Sequence, residues 1–466
     1  MQSKWMILVV AAMGNLVLTV DSGLMPVTYP EFAAVFDTDT STILWISVAF
    51  WVTTVGLGMT IGWLVNVRDK RSIYTLGFII FSLALALASI TTSLWQLILV
   101  RIFMGFGSAM ILAGVNAIIF DSFHGYERAK AIGFAGAVVG IGLSGGPILG
   151  GFLLDHLDWR SLFYSRIPIS VVAAILSWIV LKKQSNPAHN KLKIEWLGVL
   201  SLFACLASLI LIFNRGAADG WGSPVVLIMT VVLLISLPIL FQYQRRSVSP
   251  ILDLHLFKNT GYGFGLIVLI CHYISLGAIM FLASFFFINY LEFSAFKAGL
   301  FIGLYSLMRV FIAPLTGYIL RFIGPWHLSA IGLALICGSL VWFSFLSVSG
   351  SETSIFVVLL LIGIGSGIYE PPNTLTIMSS VPSDRYGTAS ASIATGRQLA
   401  FALGVAMCGA IYVSRERIYS ARDINYPDYL ALSFSDALIA CAVFAGIGLI
   451  LSFIAARLDS RNIKKY

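Results

Sequence analysis

Residues 136–151 read GAVVGIGLSGGPILGG, seven glycines and one proline in an otherwise unbroken apolar stretch. The stretch is long enough to belong to a helix that spans lipid, yet its glycines lower helix propensity. Gly136 and Gly140 stand four apart, as do Gly142, Gly146 and Gly150, so two rows of small residues let a neighbouring backbone come close. Pro147 removes one backbone donor and works against a straight, rigid rod. Two readings follow: a tight seam between packed helices, or a movable seam in a transporter.

The rest of the chain puts this helix in a membrane. Of 466 residues, 59% are hydrophobic and 11% charged, where an ordinary soluble domain carries about 25% charged residues. Fourteen apolar windows recur, at roughly 5–29, 43–65, 73–91, 94–119, 130–154, 161–181, 195–213, 224–243, 262–289, 298–320, 328–347, 354–378, 388–412 and 433–456. Each can cross a hydrocarbon core of about 30 Å as a helix, so the fold class is an all-α polytopic membrane protein with 14 transmembrane helices. The first window lacks a small-residue cleavage site and contains Asp21, and reads as a retained helix rather than a signal peptide.

An even number of spans puts both termini on one side. Nineteen Lys and Arg residues fall on that side. Seven (Arg160, Arg166, Arg215, Lys297, Arg415, Arg417 and Arg422) fall on the other, and Arg101, Arg309 and Arg397 lie within spans. Both termini are therefore expected in the cytoplasm. The net charge of +8 sits in short loops beside the membrane, which points to anionic lipid and not to nucleic acid. Cys205, Cys271, Cys337, Cys408 and Cys441 match no zinc or disulfide spacing and read as small packing residues. No metal or cofactor is expected.

The longest polar connection on the cytoplasmic side is 182–194, and a second basic stretch runs over 244–260, with two spans between them. This layout suggests six helices (1–183), an inserted pair (184–250) and six more (251–466). Gly62 and its basic loop are echoed by Gly317, Arg321 and Gly324, and Glu127-Arg128 by Asp384-Arg385, at offsets of 255 and 257 residues. Two unrelated features at nearly one offset imply duplicated halves.

Five charges lie well inside spans: Asp21, Arg101, Arg309, Glu370 and Arg397. Each costs at least about 2.5–3.5 kcal/mol in lipid unless paired or wetted, so all five should face a bundle interior. Asp21 and Glu370 read as carboxylates that load and release a proton, with structural ion pairing or helix capping as the plainer alternative. Around Glu370 the sequence GIGSGIYEPPNT, with Pro371-Pro372, predicts a broken helix whose free carbonyls border a cavity, placing Tyr369 and Asn373 beside Glu370 at a substrate site. His272 reads equally as a core or a protonatable residue. Phe281, Phe285 and Asn289, with Met280, Phe286 and Phe287, could line an adaptable pocket or simply face lipid. Met25 joins the substrate-binding candidates. There is no GxxxxGK[ST] loop, HExxH, CxxC pair or nucleophile elbow, so the chain reads as neither an enzyme nor an ATP-driven pump, and an ion gradient should supply the energy.

These residues carry a family likeness over nearly the whole length. The chain resembles the major facilitator superfamily and, within it, the fourteen-helix drug:proton antiporter family 2. The stretch ending Gly145-Gly146-Pro147 and Gly150-Gly151 is similar to that group's antiporter motif in helix 5, and RIFMGFG (101–107) to its helix 4 motif, whose arginine the family links to proton transfer. VDSGLMPVTYP (20–30) resembles LDxTIVNVALP, with Asp21 on the carboxylate; WRSLFYSRIP (159–168) resembles WRWIFLINVP; and Arg385, Gly387 to Ser390 and GRQLAFALGVA (396–406) follow the helix 13 pattern, with Arg397 on its arginine. The loop after span 2 departs from GxLaDrxGRR: Gly62 is followed by Asn66 and Asp69 where the pattern has aspartate and glycine, so Arg71 must pair differently, using Asp69. Arg166 stands where the family has asparagine.

The resemblance implies a major facilitator fold, 6+2+6, with two pseudo-symmetric six-helix bundles and a small-molecule substrate exposed alternately to each side. It implies a monomeric multidrug exporter in a bacterial cell membrane, exchanging substrate for protons. Asp21 and Glu370 would take up protons, with Arg101 and Arg397 tuning them; Gly62, Asp69, Arg71, Gly142, Gly146, Pro147 and Gly150 would serve the conformational change. Arg166 and Arg309 repel dications and tilt the substrate towards neutral, zwitterionic or anionic compounds. A dedicated exporter of one such metabolite or lipid is the alternative. A transporter-derived ligand sensor fits less well, since the short tails offer no signalling domain.

Overall fold

The computed structural model describes all residues except 1–3, 39, 124, 183–195, 247–255, 383–385, 423–427 and 464–466. Asp384, Arg385, Lys464, Lys465 and most of the 182–194 connection therefore lie outside the described residues. The helices are α1 (Lys4–Val35), α2 (Thr40–Val67), α3 (Lys70–Ser89), α4 (Leu94–Ser122), α5 (Gly125–His156), α6 (Ser161–Tyr164), α7 (Ile167–Val180), α8 (Trp196–Asp219), α9 (Pro224–Arg246), α10 (Thr260–Phe285), α11 (Ala295–Ile319), α12 (Pro325–Ser349), α13 (Glu352–Ser379), α14 (Tyr386–Ser420) and α15 (Asp428–Ile463). No strand occurs among the described residues.

Among the described residues, thirteen helical segments are long and apolar enough to cross a membrane, α6 and α7 counting as one; the span expected at 195–213 is present as α8, whose described apolar part is Leu200–Phe213. Large apolar side chains such as Ile90, Phe322 and Phe345 stand exposed, as a lipid-facing surface requires. The chain divides into two compact units, one of residues 1–207 with 294–303, the other of 208–293 with 304–466.

In the first unit, one of the two glycine rows forms a seam. A Cβ at Gly146 would sit 2.8 Å from the Val20 carbonyl and 2.9 Å from the Leu24 nitrogen, and Gly142 and Gly150 meet Thr19 and Leu24 in the same way. These residues let α5 lie against the backbone of α1. Gly136, in the other expected row, has nothing within 4 Å of that position. Pro147 does not interrupt α5, which runs unbroken to His156. Past it, Gly151 meets Ala295 and Phe296, and Asp155 accepts from the Ala295 and Phe296 amides at 3.0 and 3.1 Å. A carboxylate from α5 thus caps the start of α11, satisfying donors that the helix itself leaves free.

The sixth expected span is irregular at Ser165-Arg166, between α6 and α7 and two residues before Pro168, though both residues keep helical φ and ψ. Arg166 there is buried rather than in the outer loop.

In the second unit the expected break at Pro371-Pro372 is absent: α13 continues through both prolines. Pro371 leaves the Gly367 carbonyl without its usual intrahelical donor. Thr316 Oγ1, from α11, lies 3.0 Å from both Gly367 O and its own Ile312 O, so its single proton is shared between the two and in part replaces the missing donor from outside the helix. Thr316→Val keeps the shape and removes that donor. We expect it to cost about 1–2 kcal/mol, read as a lower midpoint of thermal unfolding in detergent.

Phe285, Phe286 and Phe287 do not face lipid. All three are buried; Phe286 stacks on Phe434 at 4.2 Å and meets Phe343 edge-on, while Phe281 packs on Phe285. Phe286 opens a π-helical turn, Phe286–Tyr290, that carries Asn289 at the end of α10.

Candidate functional site

Each unit holds one intramembrane carboxylate between two arginines. In the first, α1 carries Asp21, α4 carries Arg101, and the α6–α7 junction carries Arg166. Gly105 lets α4 approach the Phe50 backbone of α2, which sets Arg101 over the Phe50 ring at 4.5 Å. Arg101 Nη1 donates to both Asp21 oxygens at 3.1 Å, and Arg101 Nε donates to the Ile46 carbonyl at 3.3 Å. Arg166 donates to Asp21 Oδ1 from Nη1 and to the Leu162 carbonyl from Nε at 2.7 Å. Asp21 is 0% exposed and Arg101 1%. Sequence expects a carboxylate in reach of water; the structure encloses this one. Met25, one turn further along α1, is likewise buried.

The second unit is built differently. Three glycines on α13 bring it against its neighbours: Gly363 and Gly367 meet the Tyr305 and Arg309 carbonyls of α11, and Gly365 meets Gly332 and Ile336 of α12. That close approach sets Glu370 beside Arg309. Arg309 Nε lies 3.3 Å from Glu370 Oε2, Arg397 Nη2 of α14 lies 2.9 Å from Oε1, and the Tyr273 hydroxyl of α10 donates to Oε1 at 2.7 Å. Here the pair is partly exposed: the Glu370 side chain is 17% exposed and that of Arg397 32%. One carboxylate against two guanidinium groups leaves a formal charge of +1, as it does around Asp21.

Beside this cluster, the His272 ring packs 4.3 Å from Tyr369 and 5.1 Å from Tyr273. Neither His272 nitrogen has a hydrogen-bond partner, nor do the Tyr369 hydroxyl and Asn373 Oδ1, although all three residues are buried. His272 is therefore not the satisfied core histidine that one sequence reading allowed. Asn373 donates from Nδ2 to the Gly265 carbonyl at 3.1 Å. Buried polar atoms are paired in the great majority of cases, so a group of orphans marks a place where a ligand or water can bind. Of the other candidates, Phe281 and Phe285 contribute to the aromatic packing described above.

Two participants were not legible as such. Tyr273 stands next to His272 in sequence, and nothing but its hydroxyl marked it. Arg166 was counted as a loop charge.

At the loop after α2 the expected Asp69–Arg71 arrangement is replaced. Asp69 caps α3, accepting from the Ser72 amide at 3.2 Å and the Ser72 hydroxyl at 2.6 Å. Arg71 lies over the Trp178 ring at 3.9 Å, and Lys70 pairs with Asp121. An N-cap needs a side-chain acceptor just ahead of the helix, and Asp69 supplies one. Gly62 has no neighbour within 4 Å of a Cβ position.

Intramembrane charges paired in each unit of a multi-pass helical chain mark a functional site. The Major Facilitator Superfamily model matches residues 11–405, and the chain belongs to that family. It is 28% identical over 463 residues, 99% of this chain and 100% of the other, to the riboflavin transporter RibZ of Clostridioides difficile. It is 24% identical to the lincomycin resistance protein LmrB of Listeria monocytogenes, covering 91% and 90% of the two chains, and 24% identical to the multidrug resistance protein Stp of Mycobacterium tuberculosis, covering 88% and 76%. Among solved structures, the fold matches a bacterial homologue of the human lysosomal transporter Spinster with a TM-score of 0.68 and 16% identity, covering 97% of each chain.

Proposed function

We propose that the chain is a proton-coupled secondary exporter of small amphipathic compounds, working by alternating access in the cytoplasmic membrane of a bacterium with both termini inside. The observation that carries this reading is Glu370: an intramembrane carboxylate, partly exposed, whose charge is balanced by Arg309 and Arg397. Proton uptake by Glu370 releases its hold on both arginines and on Tyr273. A substrate that contacts Tyr369, His272 or Asn373 while ionised Glu370 holds both arginines in place is released when protonation loosens that arrangement, so substrate and proton exclude one another. Coupling of this kind is typically worth about 1–3 kcal/mol, and a proton falling through 100 mV supplies about 2.3 kcal/mol, so the gradient is large enough to drive the exchange. The drug-resistance names of LmrB and Stp favour this reading.

A dedicated carrier of one metabolite is the second reading, favoured by the +1 charge of the Glu370 cluster and by full-length similarity to a riboflavin transporter. The two differ in sign. An anionic group settling on Arg397 is helped when Glu370 is protonated, so it travels with the proton; a neutral or cationic substrate that competes with the proton travels against it. Purified protein in liposomes containing a trapped pH dye separates them, with riboflavin and lincomycin as probes. The exporter reading expects each transported probe to drive protons the opposite way. Probe flux without any proton movement would overturn it.

A further inference from the structure

We infer that Arg166 takes Asp21 out of proton exchange, so that Glu370 is the one of the two intramembrane carboxylates that titrates. The inference rests on the proton-coupled reading above and assigns which carboxylate serves it. It starts from Arg166, which is buried at the junction of α6 and α7. There Arg166 holds Asp21 Oδ1 while Arg101 reaches both oxygens.

The surroundings offer no other proton partner. From α4 the charged group is Arg101, and from the α6–α7 junction it is Arg166. From α2 come the Ile46 carbonyl, already bonded to Arg101, and Ser47, bonded to Tyr29 of α1 itself. The face of α5 packed on α1 presents Gly142, Gly146, Gly150 and Pro147. Among the described residues, then, no histidine or second carboxylate stands next to Asp21 to pass a proton on, and no solvent touches it. Protonating it would strand two guanidinium groups in a low-dielectric interior without a counter-ion. Glu370 differs on both counts, having the Tyr273 hydroxyl and a partly exposed arginine beside it.

Infrared difference spectra between acid and alkaline pH read this directly, because a buried carboxylic acid has its own C=O band. The reconstituted protein should show one such band, lost in Glu370→Gln. The double variant Asp21→Asn/Arg166→Asn keeps the cluster at +1 and should retain the wild-type band unchanged. Arg166→Asn alone preserves the Asp21–Arg101 pair and should gain a second band. Loss of the wild-type band in the double variant, or an Arg166→Asn spectrum identical to wild type, would overturn the inference. Substrate-driven proton flux that survives Glu370→Gln would instead sink the proton-coupled reading, leaving the enclosure of Asp21 untouched.

Discussion

Glu370→Gln is expected to uncouple transport from protons, reducing substrate-driven proton flux to the background of protein-free liposomes. Glutamine keeps the shape of the side chain and can still accept from Tyr273, but it neither binds nor releases a proton. The change leaves Arg309 and Arg397 without their shared counter-ion. In a sealed site, removing one partner of an ion pair costs about 3–5 kcal/mol. Here the Arg397 side chain is 32% exposed, so water and salt offset much of that, and the variant should still fold. The measurement is proton flux through the liposome assay across a range of pH, with elution as a single monodisperse species as the control for folding. Unchanged flux with unchanged pH dependence would rule out Glu370 as the proton carrier.

The second large effect belongs to the α1–α5 seam. Gly146→Val places a branched side chain where a Cβ alone would lie 2.8 Å from Val20 O, 2.9 Å from Leu24 N and 3.0 Å from Gly23 C. Those are backbone atoms and cannot swing aside. Overpacking typically costs about 1–3 kcal/mol and more when backbone must move, so little folded protein should be recovered and the unfolding midpoint should fall sharply. Gly136→Val, ten residues earlier on the same helix, has open space around it and should be nearly neutral. Equal losses from the two variants would mean that the cost is one of helix propensity and that the seam is not what the glycines provide.

Much of the architecture was legible in the sequence because lipid imposes a strong, local constraint: about 20 apolar residues per crossing. The intramembrane charges were legible for the same reason. What could not be read was who meets whom. Asp21 with Arg166 spans 145 positions and Thr316 with Gly367 spans 51, and no periodicity encodes such a meeting. The broken helix expected at Pro371-Pro372 failed on that point, since the prolines announce a missing donor but not the hydroxyl from α11 that in part replaces it. The glycine rows of α5 behaved similarly: spacing made two of them equivalent, and only the packing of α1 distinguished Gly142, Gly146 and Gly150 from Gly136. For Phe285 to Phe287, composition allows either a pocket lining or a lipid-facing role; all three are buried, Phe286 against Phe343 and Phe434 from two other helices.

The central claim is that proton movement drives substrate movement. It is tested most directly by imposing a pH gradient across liposomes that contain the purified protein and no ATP, and following labelled riboflavin and lincomycin over time. The expected result is accumulation of a transported probe beyond its equilibrium level, reversed when a protonophore collapses the gradient. Accumulation that ignores the protonophore, or a transported probe that only equilibrates across the membrane, would contradict it.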